Sequence, residues 1–267
     1  MVTSMKHLKY SLLSVLSALL LSIPVSSAAA DKSPDVLNVS MMLPLSDFHY
    51  FQKMTADIAI MVEALHEGLL SQDHAGEVKP SLTKSWTHSK GGKHHRFVLR
   101  KNARWSNGKA ITAGDFARGI YKILDPQTKH TMRKAWQPLV GWQAYQNNPN
   151  TPSVLGVNVL DSQTLELEFI NPIPYISHML MSPNLVPIPK AAEQEGYWKD
   201  ASRQLFSGRF TLNQPLEETP LVMTANPHYG GTQGSNFKKI NVYQHAKGTA
   251  KENAGLFQRL IDDELDV

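Results

Sequence analysis

The sequence predicts an α/β fold, and three features predict it. Several short stretches alternate apolar and polar residues, among them Leu37-Asn38-Val39-Ser40-Met41 and Thr164-Leu165-Glu166-Leu167-Glu168-Phe169. A period of two marks a half-buried strand. Other stretches carry helical spacing, with Ile58, Val62 and Leu65 on one face and Phe116, Ile120 and Ile123 on another. The chain has 267 residues, 42% of them hydrophobic, and no cysteine. That is enough for one large or two small domains that rely on their own apolar core.

The first thirty residues stand apart. Lys6, His7 and Lys9 form a basic start, and Leu12 to Ile23 an apolar core broken by Ser14, Ser17 and Ser22. Pro24 ends it before Val25-Ser26-Ser27-Ala28-Ala29-Ala30. This is the pattern of a secretory signal over residues 1–30, cleaved after Ala28 or Ala30. The apolar run is short for a membrane span. An uncleaved amphipathic or buried helix is the alternative. No disulfide framework can staple a chain without cysteine, and no lipid-acceptor cysteine stands at the cleavage site. The expected location is therefore beyond the inner membrane, in a Gram-negative periplasm.

Residues 31–36 are a polar lead, and Leu37 to Met41 is the first strand. Pro44 to Tyr50 is a loop. Thr55 to Leu65 is a helix with Asp57 in its first turn, where an acid suits the exposed amides. His66-Glu67-Gly68-Leu69-Leu70 makes a tight exit towards a strand. Residues 71–77 are a polar turn, followed by a strand region over Val78 to Trp86, with Trp86 as a core anchor. His88, His94 and His95 with Lys90, Lys93 and Arg96 surround Gly91-Gly92, which reads as a solvated hairpin tip. No carboxylate or cysteine joins these histidines locally, so no metal site is expected there.

The stretch from Phe97 to Pro126 organises the rest. Phe97 and Leu99 sit on one side of a short strand. Ser106-Asn107-Gly108 is a turn. Thr112 caps a helix, with Asp115 three residues on completing a capping box, and Ile111 and Phe116 placed as a hydrophobic staple. Arg118 and Lys122 fall on the face that can meet water. Asp125-Pro126 stops the helix. Residues 127–150 are helical or irregular, with an exposed loop over Gln146 to Pro152. Val154 to Leu160 and Thr164 to Phe169 form an antiparallel hairpin across Asp161-Ser162-Gln163. A Pro-rich lead, Asn171 to Tyr175, precedes a helix over Ile176 to Met181. Pro183, Pro187 and Pro189 mark a crossing between units. Ala191 to Leu205 is a polar helix or loop. Strands follow near Leu221 to Ala225 and Phe237 to Tyr243, and a last helix over Ala254 to Leu260.

These pieces, in this order, resemble the solute-binding proteins of oligopeptide and dipeptide ABC importers, extracellular solute-binding family 5. The resemblance rests first on Leu99-Arg100-Lys101-Asn102-Ala103-Arg104-Trp105-Ser106-Asn107-Gly108-Lys109, Ile111-Thr112-Ala113-Gly114-Asp115-Phe116 and Leu124-Asp125-Pro126, in register with the family's signature run. His66-Glu67-Gly68-Leu69 is similar to its "L(F/Y)EGL" step, Pro80 to Trp86 to "P.LAESW", Leu221 to Gly230 to "I.L..NPNYWG", and Glu264-Leu265-Asp266-Val267 to "aGELDi". Phe206-Ser207-Gly208-Arg209-Phe210-Thr211-Leu212 stands where relatives carry "GTGPY.L". Ser207 and Arg209 depart from that pattern, so this copy reads as degraded.

The resemblance implies a mixed-sheet fold of the periplasmic binding protein type II kind, incomplete relative to the two-lobed family fold. It implies domain I over residues 31–65 and 186–267, and an inserted domain II over 66–185. Domain III and the final domain I segment are absent, as in a truncated gene product, a fragment, or a shortened protein with another use. Strand edges and a core face would then be left uncovered. The family closes on a peptide between domains I and III, without a cofactor, as a monomer. It hands its ligand to an inner-membrane permease.

By register, the binding positions left on this chain lie around Asp47, Phe48, Met54 and Asp57, and at Met132. Met54 and Met132 stand where relatives offer an acid and an aromatic, so Asp47 or Asp57 would have to meet a peptide amino end. The two methionines also suit plain packing, and Trp105 suits either core packing or stacking on a ligand. An enzyme would need an activated nucleophile or metal-ligand spacing. Neither G-x-S-x-G nor H-E-x-x-H occurs. Nucleic acid would need a broad basic surface. The net charge is only +4, of which Lys6 and Lys9 contribute two. A chaperone-like fragment that binds through exposed apolar surface is the alternative to a peptide carrier.

Overall fold

Strand positions that alternate in sequence also alternate in burial. His95, Phe97 and Leu99 point inward from one strand, and Leu165 and Leu167 from its neighbour, while Arg96 and Glu166 meet on the wet face at 2.9 Å. The computed structural model describes residues 35–41, 55–73, 75–216, 218, 220–231, 235–244 and 265–266. The leader, Asp47, Phe48, Met54 and the expected helix over 254–260 lie outside them.

Strands β1 (Val36–Met41), β8 (Phe210–Leu212), β9 (Leu221–Ala225) and β10 (Lys239–Gln244) make one mixed sheet in the order β1-β10-β9-β8. Here β1 runs parallel to β10, with Val39 opposite Val242, and the other pairs are antiparallel. The chain returns to the outer side of β1 near its end, where the Asp266 amide donates to the Asn38 carbonyl at 2.8 Å. The Asn38 amide in turn donates to the Asp266 carboxylate at 2.7 Å.

Helix α1 (Ala56–Leu65) packs on β8 and buries Met61, Val62 and Leu65. Its first turn is capped by the Thr55 hydroxyl, which accepts the Ile58 amide at 3.3 Å. A small hairpin, β2 (Leu70–Gln72) and β3 (Val78–Pro80), leads away from it.

The second large sheet is antiparallel, in the order β4 (Thr83–Ser89), β5 (His94–Leu99), β7 (Thr164–Glu168), β6 (Val157–Val159). Helix α2 (Ala113–Leu124) lies against β6 and β7 with Phe116, Ile120, Ile123 and Leu124 buried. The expected capping box is present: the Thr112 amide donates to Asp115 Oδ2 at 2.7 Å. Gly108 takes a φ of +80° at the turn before it, where an L side chain would be strained. Short helices α3 (Trp142–Asn147) and α4 (Ile176–Met181) are the other α-helices among the described residues. No helix among the described residues is long and apolar enough to cross a membrane.

Three local expectations are corrected. The strand expected over 154–160 shrinks to Val157–Val159. Pro152 has no amide for a ladder and opens a 3-10 turn, and the Gly156 amide goes to the Val140 carbonyl at 2.8 Å. The polar helix or loop expected over Ala191 to Leu205 needs no correction and is present as three 3-10 turns between 190 and 203. Arg118 is half-buried, and its Nε donates to the Ile188 carbonyl at 2.9 Å. His95 is not part of a solvated tip. It is buried, with Nε2 on the Gly92 carbonyl at 2.9 Å and Nδ1 facing the Trp86 indole N–H at 3.3 Å. Trp86 itself is half-exposed and stacks on Phe97 at 5.9 Å. Trp105 packs in the core, 3% exposed.

Candidate functional site

The exit from α1 is where the two large sheets are joined. The helix ends at Leu65, and His66 turns extended while its amide still reaches the Val62 carbonyl at 2.7 Å. Glu67 is then buried. A buried carboxylate is costly unless hydrogen-bonded, and both its oxygens are. Ser81, ahead of β4, donates to Oε1 at 2.5 Å, and the Tyr229 hydroxyl donates to Oε2. The Glu67 amide donates to the Ser207 hydroxyl at 2.9 Å. Ser207 is fully buried, so what reads in sequence as a degraded motif is an intact interlock.

The same segment is held from two other sides. The Gly208 amide donates to the Leu65 carbonyl at 2.9 Å, and Asn226 Nδ2 donates to the Gly208 carbonyl at 2.8 Å. The Ser106 amide donates to the Phe206 carbonyl at 2.8 Å, and the Phe206 amide returns to the Ser106 hydroxyl at 3.1 Å. The motifs that carry the resemblance, at 66–70, 105–108, 206–212 and 226–229, thus converge on one junction and hold it in place. Long-range partners of this kind leave no local signal. Only the close run of Ser, Gly and Asn in those turns hints at it.

Beside the junction lies a cleft of about 310 Å³ bordered by Glu63, His66, Glu67, Asp73, Ser182 and Arg209. Burial pushes the His66 imidazole down to about 3, so it is neutral and a weak base near pH 7. The Ser81 hydroxyl is committed to Glu67 rather than to a histidine. Among the described residues, no group of three or more His, Cys, Asp or Glu side chains is placed to hold a metal ion.

Of the sequence-derived binding positions, two are described. Asp57 sits half-buried in the first turn of α1. Met132 sits half-buried in a 3-10 turn over Thr131–Trp136 and packs against the core. The Met132 amide donates to His130 Nδ1 at 3.0 Å, and His130 Nε2 faces Asn184 Oδ1 at 3.2 Å. These partners fix the neutral Nε2–H tautomer and tie the turn to the crossing segment. Asp57 and Met132 lie on separate elements, α1 packing on β8 and the 3-10 turn on α2.

A pH dependence follows from the buried imidazoles. Burial lowers His66, and it also lowers His95 and His130. Each is harder to protonate in the fold than in the unfolded chain, where an imidazole takes up a proton near pH 6.5. Stability is therefore full above pH 6.5 and falls as pH drops towards the folded value. For His66 alone the loss by pH 5 is about 2 kcal/mol. Urea midpoints at pH 7.5 and pH 5 test this, and His66→Leu is expected to flatten the slope between them.

Comparison with known proteins adds the family. The family model for bacterial extracellular solute-binding proteins, family 5 Middle, matches residues 77–263. The periplasmic oligopeptide-binding protein OppA of Escherichia coli (strain K12) is 30% identical over 272 residues, 94% of this chain and 50% of its own. The probable deoxycholate-binding periplasmic protein YgiS of Escherichia coli (strain K12) is 30% identical over 68% of this chain and 35% of its own. Among solved structures, the substrate-binding domain of an oligopeptide ABC transporter from Bacillus anthracis superposes with a TM-score of 0.76 at 23% identity, covering 88% of this chain and 45% of that one. The peptide-bound OppA of Listeria monocytogenes superposes with a TM-score of 0.75 at 22% identity, covering 88% and 46%. The chain spans half or less of the length of these relatives.

Proposed function

We propose, from the premise that this chain belongs to the bacterial extracellular solute-binding proteins of family 5, that it binds short peptides in the periplasm for an inner-membrane ABC permease. The observation that carries the reading is the family match over residues 77–263, joined to 30% identity with an oligopeptide-binding protein across 94% of the chain. Those relatives are binding proteins, and the reading assigns this chain no reaction. In it, residues 1–30 are the leader, residues 31–65 and 186–267 belong to one domain and 66–185 to another. The carrier works as a monomer.

On this reading the peptide site lies along Asp47, Phe48, Met54 and Asp57 and extends to Met132. Asp47 or Asp57 meets the ligand's amino end, and Met132 lies against a side chain. Titration calorimetry with tri- to pentapeptides tests it. Asp47→Asn or Asp57→Asn, whichever removes the acid at the amino end, is expected to weaken binding about tenfold, as for loss of one charge-assisted contact, and Met132→Ala by a smaller factor. Unchanged affinity in Asp47→Asn and Asp57→Asn alike overturns the site.

A second reading, a chaperone-like fragment without a closed site, is favoured by exposed Ile60, Leu160 and Ile170, each more than half accessible. It predicts strong binding of an apolar dye and no peptide selectivity.

A further inference from the structure

We propose that the open cleft alongside the C-terminal half of α2 binds a small organic cation; neither Asp57 nor Met132 of the peptide site proposed above lines it. The cleft measures about 280 Å³ and is lined by Tyr121, Lys122, Asp125, Tyr145, Glu193 and Trp198. Three aromatic rings and two carboxylates around one space are what a guanidinium or ammonium group requires. The ring faces attract the charge, and the carboxylates fix its position.

The charge balance selects a cation. Arg118 also borders the cleft, but its guanidinium is already committed. Nε donates to the Ile188 carbonyl, and Nη2 is paired with the Asp115 carboxylate. Lys122 is then left against Asp125 and Glu193, a net of one negative charge. Among the described residues no ion pair joins Lys122 to either acid. Asp125 uses Oδ1 to accept the Gln127 amide at 2.8 Å, which fixes the carboxylate at the end of α2. Its charge is felt inside the cleft: burial raises the Tyr145 phenol, and Asp125 raises it further.

The walls are in place before any ligand arrives. Tyr145 is 5% exposed. The Trp198 indole stands edge-on to Tyr197 at 5.1 Å and 85°, and Gln204 Nε2 donates to the Trp198 carbonyl at 3.2 Å. Tyr121 is carried on α2 with its hydroxyl towards the Val157 carbonyl. A small cation would therefore enter a formed site, with little side-chain ordering to oppose it.

Titration calorimetry of the purified chain with agmatine, which carries a guanidinium and an ammonium on one short stem, tests this. Saturable one-to-one binding that weakens with added salt is expected. Asp125→Asn and Glu193→Gln are each expected to weaken it about fivefold, the effect of one partly screened charge contact. Asparagine at 125 keeps the oxygen that caps Gln127, and Glu193 lies in a surface turn, so the melting temperature of both variants serves as the control for folding. Absence of heat with agmatine overturns the proposal, as does affinity unchanged in both variants. Competition between agmatine and a saturating peptide would put the cation in the peptide site and also overturns it. Agmatine binding in a chain that takes no peptide would leave the proposal standing and remove the carrier reading.

Discussion

Replacing Gly208 by alanine is expected to destabilise the protein by on the order of 3 kcal/mol, the upper part of the usual range for overpacking a close contact. A Cβ on Gly208 would lie 2.6 Å from the His66 amide nitrogen, 2.6 Å from the Leu65 carbonyl carbon and 2.7 Å from the Ala64 oxygen. All three are backbone atoms at the end of α1, and they cannot swing away as a side chain can. Relief needs the 206–212 segment to move off the helix, which would also break the Ser207–Glu67 and Gly208–Leu65 hydrogen bonds. Gly114→Ala is the control. Its Cβ would meet nothing nearer than the Thr112 hydroxyl at 3.6 Å, and alanine favours the helix. Its stability is expected to rise slightly or stay unchanged. Urea unfolding of both variants reads the difference, and equal midpoints would refute the interlock.

Phe116→Ala is expected to cost about 4 kcal/mol, the middle of the range for deleting a fully buried ring. Phe116 is 0% exposed and lies on the face of α2 that meets β6 and β7, with Ile120 and Ile123 beside it. It belongs to the same buried core as Trp105, Leu139, Leu165 and Leu167, and a close-packed core closes only in part over a deleted ring. Phe116→Leu keeps most of the volume and is expected to cost about 1.5 kcal/mol or less. A near-native midpoint for Phe116→Ala would mean that α2 does not anchor the second sheet.

Local rules carried the sequence a long way where the physics is local. The Thr112–Asp115 box, the Asp125-Pro126 stop and the apolar stripe of α2 need only neighbours within a turn or two, and they are found where the spacing predicts. Strand alternation worked for Thr164–Glu168 because one face is wet. It overreached at Val154–Leu160, where Pro152 and the Gly156–Val140 hydrogen bond redirect the backbone. Arg118 looked like a surface cation because the contact that buries it, to the Ile188 carbonyl, lies seventy positions away, although its pairing with Asp115 is local. Gly119 did offer a signal: a glycine inside a helix interior usually marks a close approach, and here a Cβ would collide with the Val186 carbonyl.

The candidate site was less legible than the fold. Glu67 drew notice only as part of a motif. Its burial depends on Ser207 and Tyr229, 140 and 162 positions away, and no period or spacing announces such partners. The proposed peptide position at Met132 came from register with the family, and Asp57 only from being an acid near the register position of Met54; neither came from a physical signal in its own neighbourhood. Met132 packs on the core as an ordinary apolar residue would. The aromatic cleft around Asp125 gave no sequence signal, because Tyr121, Tyr145, Glu193 and Trp198 meet only through the crossing of 186–198 over α2.

Whether the protein carries peptides can be read without any assumed ligand, by native mass spectrometry of the protein purified from its own host without refolding. A series of one-to-one adducts is expected, with masses that resolve on fragmentation into short peptides, and weaker when Asp47 and Asp57 are both replaced by asparagine. A bare chain, or adducts that contain no amino acids, would contradict it.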